Sequence, residues 1–411
     1  MSRQNRVFLT VLFLCVGLLV SSCAGATTST PEQSAPSPTT PPPTEPIPPT
    51  ETLAPPTPTQ PPPTDTPPPT VTPTEEPIEL NPSPRGYISM AYDSESKQVI
   101  LFGGATGDEN DPANYSGETW AFDVATQIWT EMKPPKSPSA RSSSGSMVYD
   151  SESDRVILFG GTRTRNSTSR ETWAYDYNTD TWTQMKGQGP AKHLGTAMAY
   201  DAESDRVILF GGFDFDSYQN FQDTWVYDYN TDTWSEMKPD NSPPGQNAHA
   251  MTYDPDSDRI ILWGGYTKTP DPSNVVSLDS SVWAYDYNTN TWEQKVSSSA
   301  PGPRLDHALV YDANAGMVLM YGGSDRPSWT GQMTNFRDLL AYNVKSNTWE
   351  SIPEPNPFPG TLSRFAMVYI PDTDQFIVFG GQVGGGMENY TNQTWIYDLN
   401  TNTWADVTRE P

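Results

Sequence analysis

With 411 residues and a formal net charge of -26, the chain has room for one large domain or two ordinary ones, and it repels phosphate backbones, so nucleic acid is not an expected partner. It has no basic cluster of the kind that draws proteins to anionic lipid. Both cysteines, Cys15 and Cys23, stand near the N-terminus, which removes disulfides, zinc–thiolate sites and thiol nucleophiles from everything downstream.

In chain order, Arg3 and Arg6 precede an apolar run from Val7 to Val20. The run is short for a spanning helix and is flanked like the apolar region of a secretory signal. It ends in Val20-Ser21-Ser22-Cys23, which resembles the bacterial lipobox: an aliphatic residue and two small ones before an invariant cysteine. The resemblance implies a signal peptide over 1–22, cleavage before Cys23 and diacylglyceryl transfer to its sulfur. The protein is then expected to be exported and lipid-anchored to the bacterial cell membrane, facing outward. The alternative is an ordinary signal peptide with a stray cysteine. Two or more acyl chains hold a protein stably on a membrane, where one does not.

Residues 23–83 repeat Thr and Pro in PTT, PPPTEP and PPT patterns with almost no apolar side chains, so they cannot bury a core. Proline fixes φ near the polyproline II value, and a disordered, semi-rigid stalk is expected. About 60 residues at ~3.1 Å each reach at most on the order of 190 Å. The Thr/Pro density also suits O-glycosylation. Most prolines lie between Pro31 and Pro84, whereas Trp and Tyr begin at Tyr87. Residues 84–411 are therefore the folded part.

Six segments of that part resemble one another. Each has a strand ending in Gly-Gly: VILFGG at Gly103, Gly160 and Gly211, IILWGG at Gly264, VLMYGG at Gly322 and FIVFGG at Gly380. An aromatic strand follows, reading TWAFD, TWAYD, TWVYD, VWAYD, LLAYN and TWIYD, and each unit closes on Trp129, Trp182, Trp234, Trp292, Trp349 or Trp404. The runs are β-branched and aromatic, as strands are, and the segments between them, such as YDSESDR and DYNTDTW, put Asp, Asn and Ser where turns need them. Four short strands in each of six units indicate propeller blades, which bury both faces only by stacking in a ring.

The period of about 50 residues, with its Gly-Gly and Trp, resembles the kelch repeat in all six copies. The resemblance implies an all-β, six-bladed kelch-type β-propeller, with Gly-Gly ending the second strand, Tyr in the third and Trp in the fourth. It also implies that Tyr and Trp pack between blades and that glycine lets neighbouring backbones approach. The fifth unit departs from the pattern: Leu340 stands where the others have Trp. Each unit runs from first to fourth strand, so the last blade is expected to be complete by itself. Ile78-Glu79-Leu80 is placed to pair at the seam.

The related copper enzyme galactose oxidase needs a Tyr joined to a Cys, and no Cys follows Cys23, so no cofactor and no metal are expected. His193, His249 and His307 read as hydrogen-bonding residues before first strands, with a ligand or base role as the alternative. Asp254, Asp256 and Asp258 invite calcium, but the downstream Gly and Glu of an EF-hand are missing. No G-x-S-x-G elbow, phosphate loop, H-E-x-x-H or sialidase Asp-box is present. Paired carboxylates for glycoside hydrolysis remain open.

Function on such scaffolds sits on loops. The loops between second and third strands vary while the strands repeat, and they carry Phe215 and Tyr218, Trp329, and Tyr390. Aromatic rings beside Asp and Asn suit stacking on sugars or anchoring a protein partner, or else packing on the blade tops. Arg85, Arg141, Arg304 and Arg364 stand before first strands, a place where kelch repeats often have Pro-Arg. They are either structural or a cationic mouth able to grip a carboxylate. Two readings follow. One is a non-catalytic, monomeric recognition module that binds a glycan, cell-wall polymer or protein at the cell surface. The other is a carbohydrate-active enzyme such as a metal-independent sugar epimerase, a class found among bacterial kelch proteins.

Overall fold

Each repeat folds into one antiparallel sheet whose four strands pair in chain order. The computed structural model describes residues 81–142, 146–164, 167–191, 193–268, 276–327, 333–384 and 389–409. The expected signal peptide, Cys23, almost all of the stalk, Ile78-Glu79-Leu80, Lys192 and Trp329 lie outside them. Six blades form a ring around innermost strands Ser89–Asp93, Met147–Asp150, Ala197–Asp201, Ala250–Asp254, Ala308–Asp312 and Ala366–Ile370. Blades one to six are named in that order. No α-helix occurs among the described residues, and none is long and apolar enough to cross a membrane.

The burial of each strand explains its sequence. The second strand of blade one, Gln98–Phe102, is buried throughout. It lies between neighbouring blades, so it reads as a continuous apolar run rather than an alternating one. In the outermost strand of blade two, Thr181–Gln184, only Trp182 is buried. The hairpin turns need left-handed residues, and Asp154, Asp205, Asp258, Asn290 and Asn402 supply them at φ of 53, 55, 55, 52 and 51°.

Blades are joined through the outer tryptophans. Trp182 donates its indole N–H to Thr119 of the preceding blade at 2.9 Å, and Trp234, Trp292 and Trp129 do the same to Thr172, Thr224 and Thr394. The pattern stops at Trp349, because the preceding blade has Val282 in that place, and the Trp349 N–H has no partner among the described residues. The Gly-Gly step allows the same close stacking. Gly103 has φ 73°, and a Cβ there would stand 2.5 Å from the Arg141 carbonyl oxygen of the next blade.

The ring closes without strand exchange among the described residues. Blade six takes all four strands from Ala366–Ile370, Gln375–Phe379, Thr394–Asp398 and Thr403–Asp406. Ile88, Met90 and Leu101 of the first repeat share one core with Val368, Ile377 and Phe379 of the last. The segment before blade one lies along blade six: Arg85 N–H donates to Thr391 O at 3.2 Å, Gly381 N–H to Arg85 O at 2.8 Å, and the Asn81 side chain bonds the Arg409 backbone.

Candidate functional site

The innermost strands enclose a central channel of about 850 Å³, lined from all six blades. At the hairpin end, Tyr149, Tyr200, Tyr253 and Tyr369 donate to Asp154, Asp205, Asp258 and Asp374 at 2.9–3.0 Å. Burial first, then nearby carboxylates (Asp93 at Tyr149, Asp150 at Tyr200, Asp258 at Tyr253 and Asp374 at Tyr369), pushes the phenols well above their ordinary range.

The loop end is built differently. Tyr87, Gly195, Ala248, Asp306 and Arg364 occupy equivalent places before their strands, and all are left-handed, with φ of 52, 65, 54, 55 and 60°. Their backbones link around the mouth: Ala248 N–H donates to Gly195 O, Asp306 to Ala248, Arg364 to Asp306 and Tyr87 to Arg364, at 2.9–3.0 Å. This geometry brings four side chains together. The Arg364 guanidinium lies over the Tyr87 ring at 4.4 Å, reaches Asp306 Oδ2 at 3.2 Å through Nε, and donates to Gln382 Oε1 at 2.8 Å through Nη1. Glu109, from the blade-one loop, approaches the same Nη1 at 3.5 Å. Burial opposes the charge on Arg364, but Tyr87, Asp306 and Glu109 more than offset it and raise its pKa. Burial pushes the Asp306 carboxyl up despite the pull of Arg364.

Aromatic side chains rim this mouth. The ribbon Phe213–Asp214 with Gln219–Asn220 is fixed to the rim by paired backbone bonds between Leu194 and Phe213, and by Asn220 Nδ2 donating to Tyr266 O at 2.8 Å. Phe215 packs edge-on against Phe213 at 5.0 Å. Tyr218 is left-handed at φ 56° and 58 % exposed. Tyr390 bridges from blade six: its ring fills the space a Cβ on Gly86 would need, and its hydroxyl stands 3.5 Å from Glu109 Oε1.

The other arginines do not line the channel. Arg85 is buried; its Nη2 meets Glu118 at 2.6 Å and its Nη1 donates to Gly103 O at 3.2 Å. Arg141 repeats this with Glu171 and Gly160 O, both at 2.9 Å, and Arg304 with Asp338 at 2.6 Å and Gly322 O at 3.0 Å. His193 takes the same place in blade three, against Asp223 at 3.0 Å. Each of these three arginines staples the start of its blade to the Gly-Gly and to the acid before the third strand, whereas His193 reaches only the acid and its own Ala191 carbonyl. Burial works against ionisation of Glu118 and Glu171, yet Arg85 and Arg141 hold both carboxyls below the usual range.

His249 and His307 sit fully buried beside the Gly-Gly steps, where burial pushes their pKa values down to about 3. Asp254, Asp256 and Asp258 do not converge: Asp254 accepts from Asp256 N–H at 3.0 Å, Asp256 pairs with Lys345 at 2.7 Å and Asp258 accepts from Tyr253. Among the described residues, the acidic trios that do meet are Asp93 with Glu95 and Asp154, and Asp201 with Glu203 and Asp258.

Sequence reasoning did not single out Tyr87, Glu109, Asp306 or Tyr266. A signal was present: Arg364 stands five residues before its strand tyrosine, Tyr369, whereas Arg85 and Arg304 stand seven before Tyr92 and Tyr311. That offset places Arg364 in the mouth and the other two under the blade tops.

A ring of six such blades around an open, loop-rimmed channel defines a kelch-type β-propeller. The chain belongs to the Attractin/LZTR1 β-propeller family, whose profile matches residues 136–370, and a kelch motif follows at residues 368–409. Propellers of this type commonly serve as protein-interaction modules. Among curated proteins the chain is similar to Mei4-dependent protein 6 of Schizosaccharomyces pombe, at 25% identity over 47% of this chain and 29% of that protein. It is also similar to the flagellar outer-arm dynein alpha chain of Chlamydomonas reinhardtii, at 23% identity over 61% of this chain and 6% of that one. The chain thus spans less than a third of either relative.

Proposed function

We propose that the propeller is a non-catalytic recognition module that binds a protein or glycan through its loop face, and that Cys23 and the stalk display it outside the cell. The observation that carries the binding reading is the mouth itself. Tyr218 is the one large apolar or aromatic side chain, besides Val296, left mostly in solvent among the described residues. Its backbone is held left-handed at the rim of a channel, a conformation that costs a bulky residue free energy. An exposed aromatic ring on a rigid rim is the usual form of a binding anchor. The enzyme reading would draw on Arg364, Asp306 and Glu109, because Arg85, Arg141 and Arg304 are tied to the acids of their own blades.

Binding of residues 73–411, a compact unit by itself, to arrays of glycans, cell-wall polymers and surface proteins tests the reading. Saturable binding that Tyr218→Ala abolishes and Thr183→Ala on an outer strand leaves intact supports it. Binding indifferent to Tyr218→Ala sinks the loop-face assignment. For display, metabolic labelling with an alkyne fatty acid should mark the full chain and disappear in Cys23→Ala. Labelling that persists in that variant removes the anchor.

A further inference from the structure

We infer that the channel mouth takes a cationic group, an ammonium or guanidinium carried on a basic peptide segment of a protein partner. The inference rests on the loop face being the binding face. Among the described residues lining the channel, the charged groups are Arg364, Asp306 and Glu109, with no lysine. The two histidines in that lining are neutral at neutral pH, because burial holds them down to about 3. With Asp306 ionised, as its ion pair with Arg364 favours against the burial that pushes its carboxyl up, the mouth carries one more negative charge than positive.

Arg364 is not available to an anionic ligand. Its side chain is 3 % exposed and is held by Asp306, Gln382 and the Tyr87 ring. Glu109 is the charged group that faces outward, at 28 % exposure, and its 3.5 Å approach to Arg364 is longer than a normal charge-assisted hydrogen bond, so it retains capacity to accept. The walls suit a cation as well. Aromatic faces attract ammonium and guanidinium groups, and the mouth already holds one guanidinium over Tyr87 at 4.4 Å. Beyond the mouth, a net charge of -26 steers basic partners inward and repels acidic ones.

A random heptapeptide display library selected on immobilised residues 73–411 tests this, followed by titration of synthetic peptides from the selected set. Lysine or arginine should be enriched, and binding should weaken as salt rises. Glu109→Gln should reduce affinity roughly tenfold or more, the loss of a hydrogen bond to a charged group, without lowering the unfolding temperature. Enrichment of acidic or uncharged peptides overturns the inference while leaving loop-face recognition standing. Basic peptides whose affinity ignores Glu109→Gln overturn the placement at the mouth. If no peptide is enriched but Tyr218-dependent glycan binding is found, the partner class is wrong. If neither is found, the recognition reading fails with it.

Discussion

Val282→Thr should stabilise the propeller, and the reason lies in one missing hydroxyl. Four outer tryptophans donate at 2.9 Å to a threonine of the preceding blade, and Trp349 meets Val282 instead. The rings are otherwise alike: Trp349 lies 5.5 Å from Trp263, as Trp292 lies 5.1 Å from Phe210. Val282 is 1 % exposed, so no water replaces the lost acceptor from its side. A net intramolecular hydrogen bond contributes about 1 kcal/mol, and an orphaned buried donor costs about 1–3 kcal/mol. Threonine differs from valine by a hydroxyl for a methyl, so the shape is kept while the burial of that hydroxyl takes back part of the gain. A net gain of about 1 kcal/mol is expected, roughly 2 °C in unfolding temperature for a domain this large. Calorimetry on a double-mutant cycle with Trp349→Phe isolates the bond, because phenylalanine has no N–H to satisfy. Coupling of about 1 kcal/mol between positions 282 and 349 is the expected result. A coupling near zero, or destabilisation by Val282→Thr alone, would refute the account of the blade joint.

The reverse change, Thr119→Val, should cost about 1–3 kcal/mol by orphaning Trp182, read as a lower urea midpoint. Arg304→Met should destabilise by roughly 2–4 kcal/mol, since it leaves Asp338 and Gly322 O without their buried partner, yet ligand affinity should not change; a selective loss of affinity would instead place Arg304 in the site. His249 and His307 titrate at 6.5 when unfolded and about 3 when folded, so the stability they allow is complete above 6.5 and falls as the pH drops toward 3. Near pH 5 that loss is about 2 kcal/mol per histidine. His249→Phe, copying Phe365 at the equivalent place in blade six, should reduce the acid sensitivity of the urea midpoint by one histidine's share, and an unchanged slope would show that the imidazole is not the cause. Tyr218→Gly should weaken ligand binding while leaving the unfolding temperature level or higher, because glycine accepts the left-handed backbone that tyrosine resists; a lower unfolding temperature would make Tyr218 a structural residue.

Much of the ring is legible because the repeat is local. VILFGG, the TWAYD-type strands and the Asp- and Asn-bearing turns each specify a hairpin from residues close in sequence, and an apolar second strand needs a neighbour on both faces. Six copies therefore require a closed ring. Even the joint between blades can be read from strand starts, since Val282 and Leu339 stand where Thr119, Thr172, Thr224 and Thr394 accept a tryptophan.

The site was less legible, because its members come from different blades and their roles depend on where a side chain is aimed. Arg85, Arg141, Arg304 and Arg364 look alike as residues before a strand. An offset of two positions from Arg85 and Arg304, and of three from Arg141, carries Arg364 over the channel, while each of the other three turns back to an acid of its own blade, Glu118, Glu171 or Asp338. The sequence by itself determined the blades, their number and the residues between them, because hairpins and apolar runs are set by near neighbours. Only the tertiary structure decided that Arg364, Asp306, Tyr87 and Glu109 share one mouth, because ring closure brings blades five, six and one together and leaves their left-handed residues facing a single space.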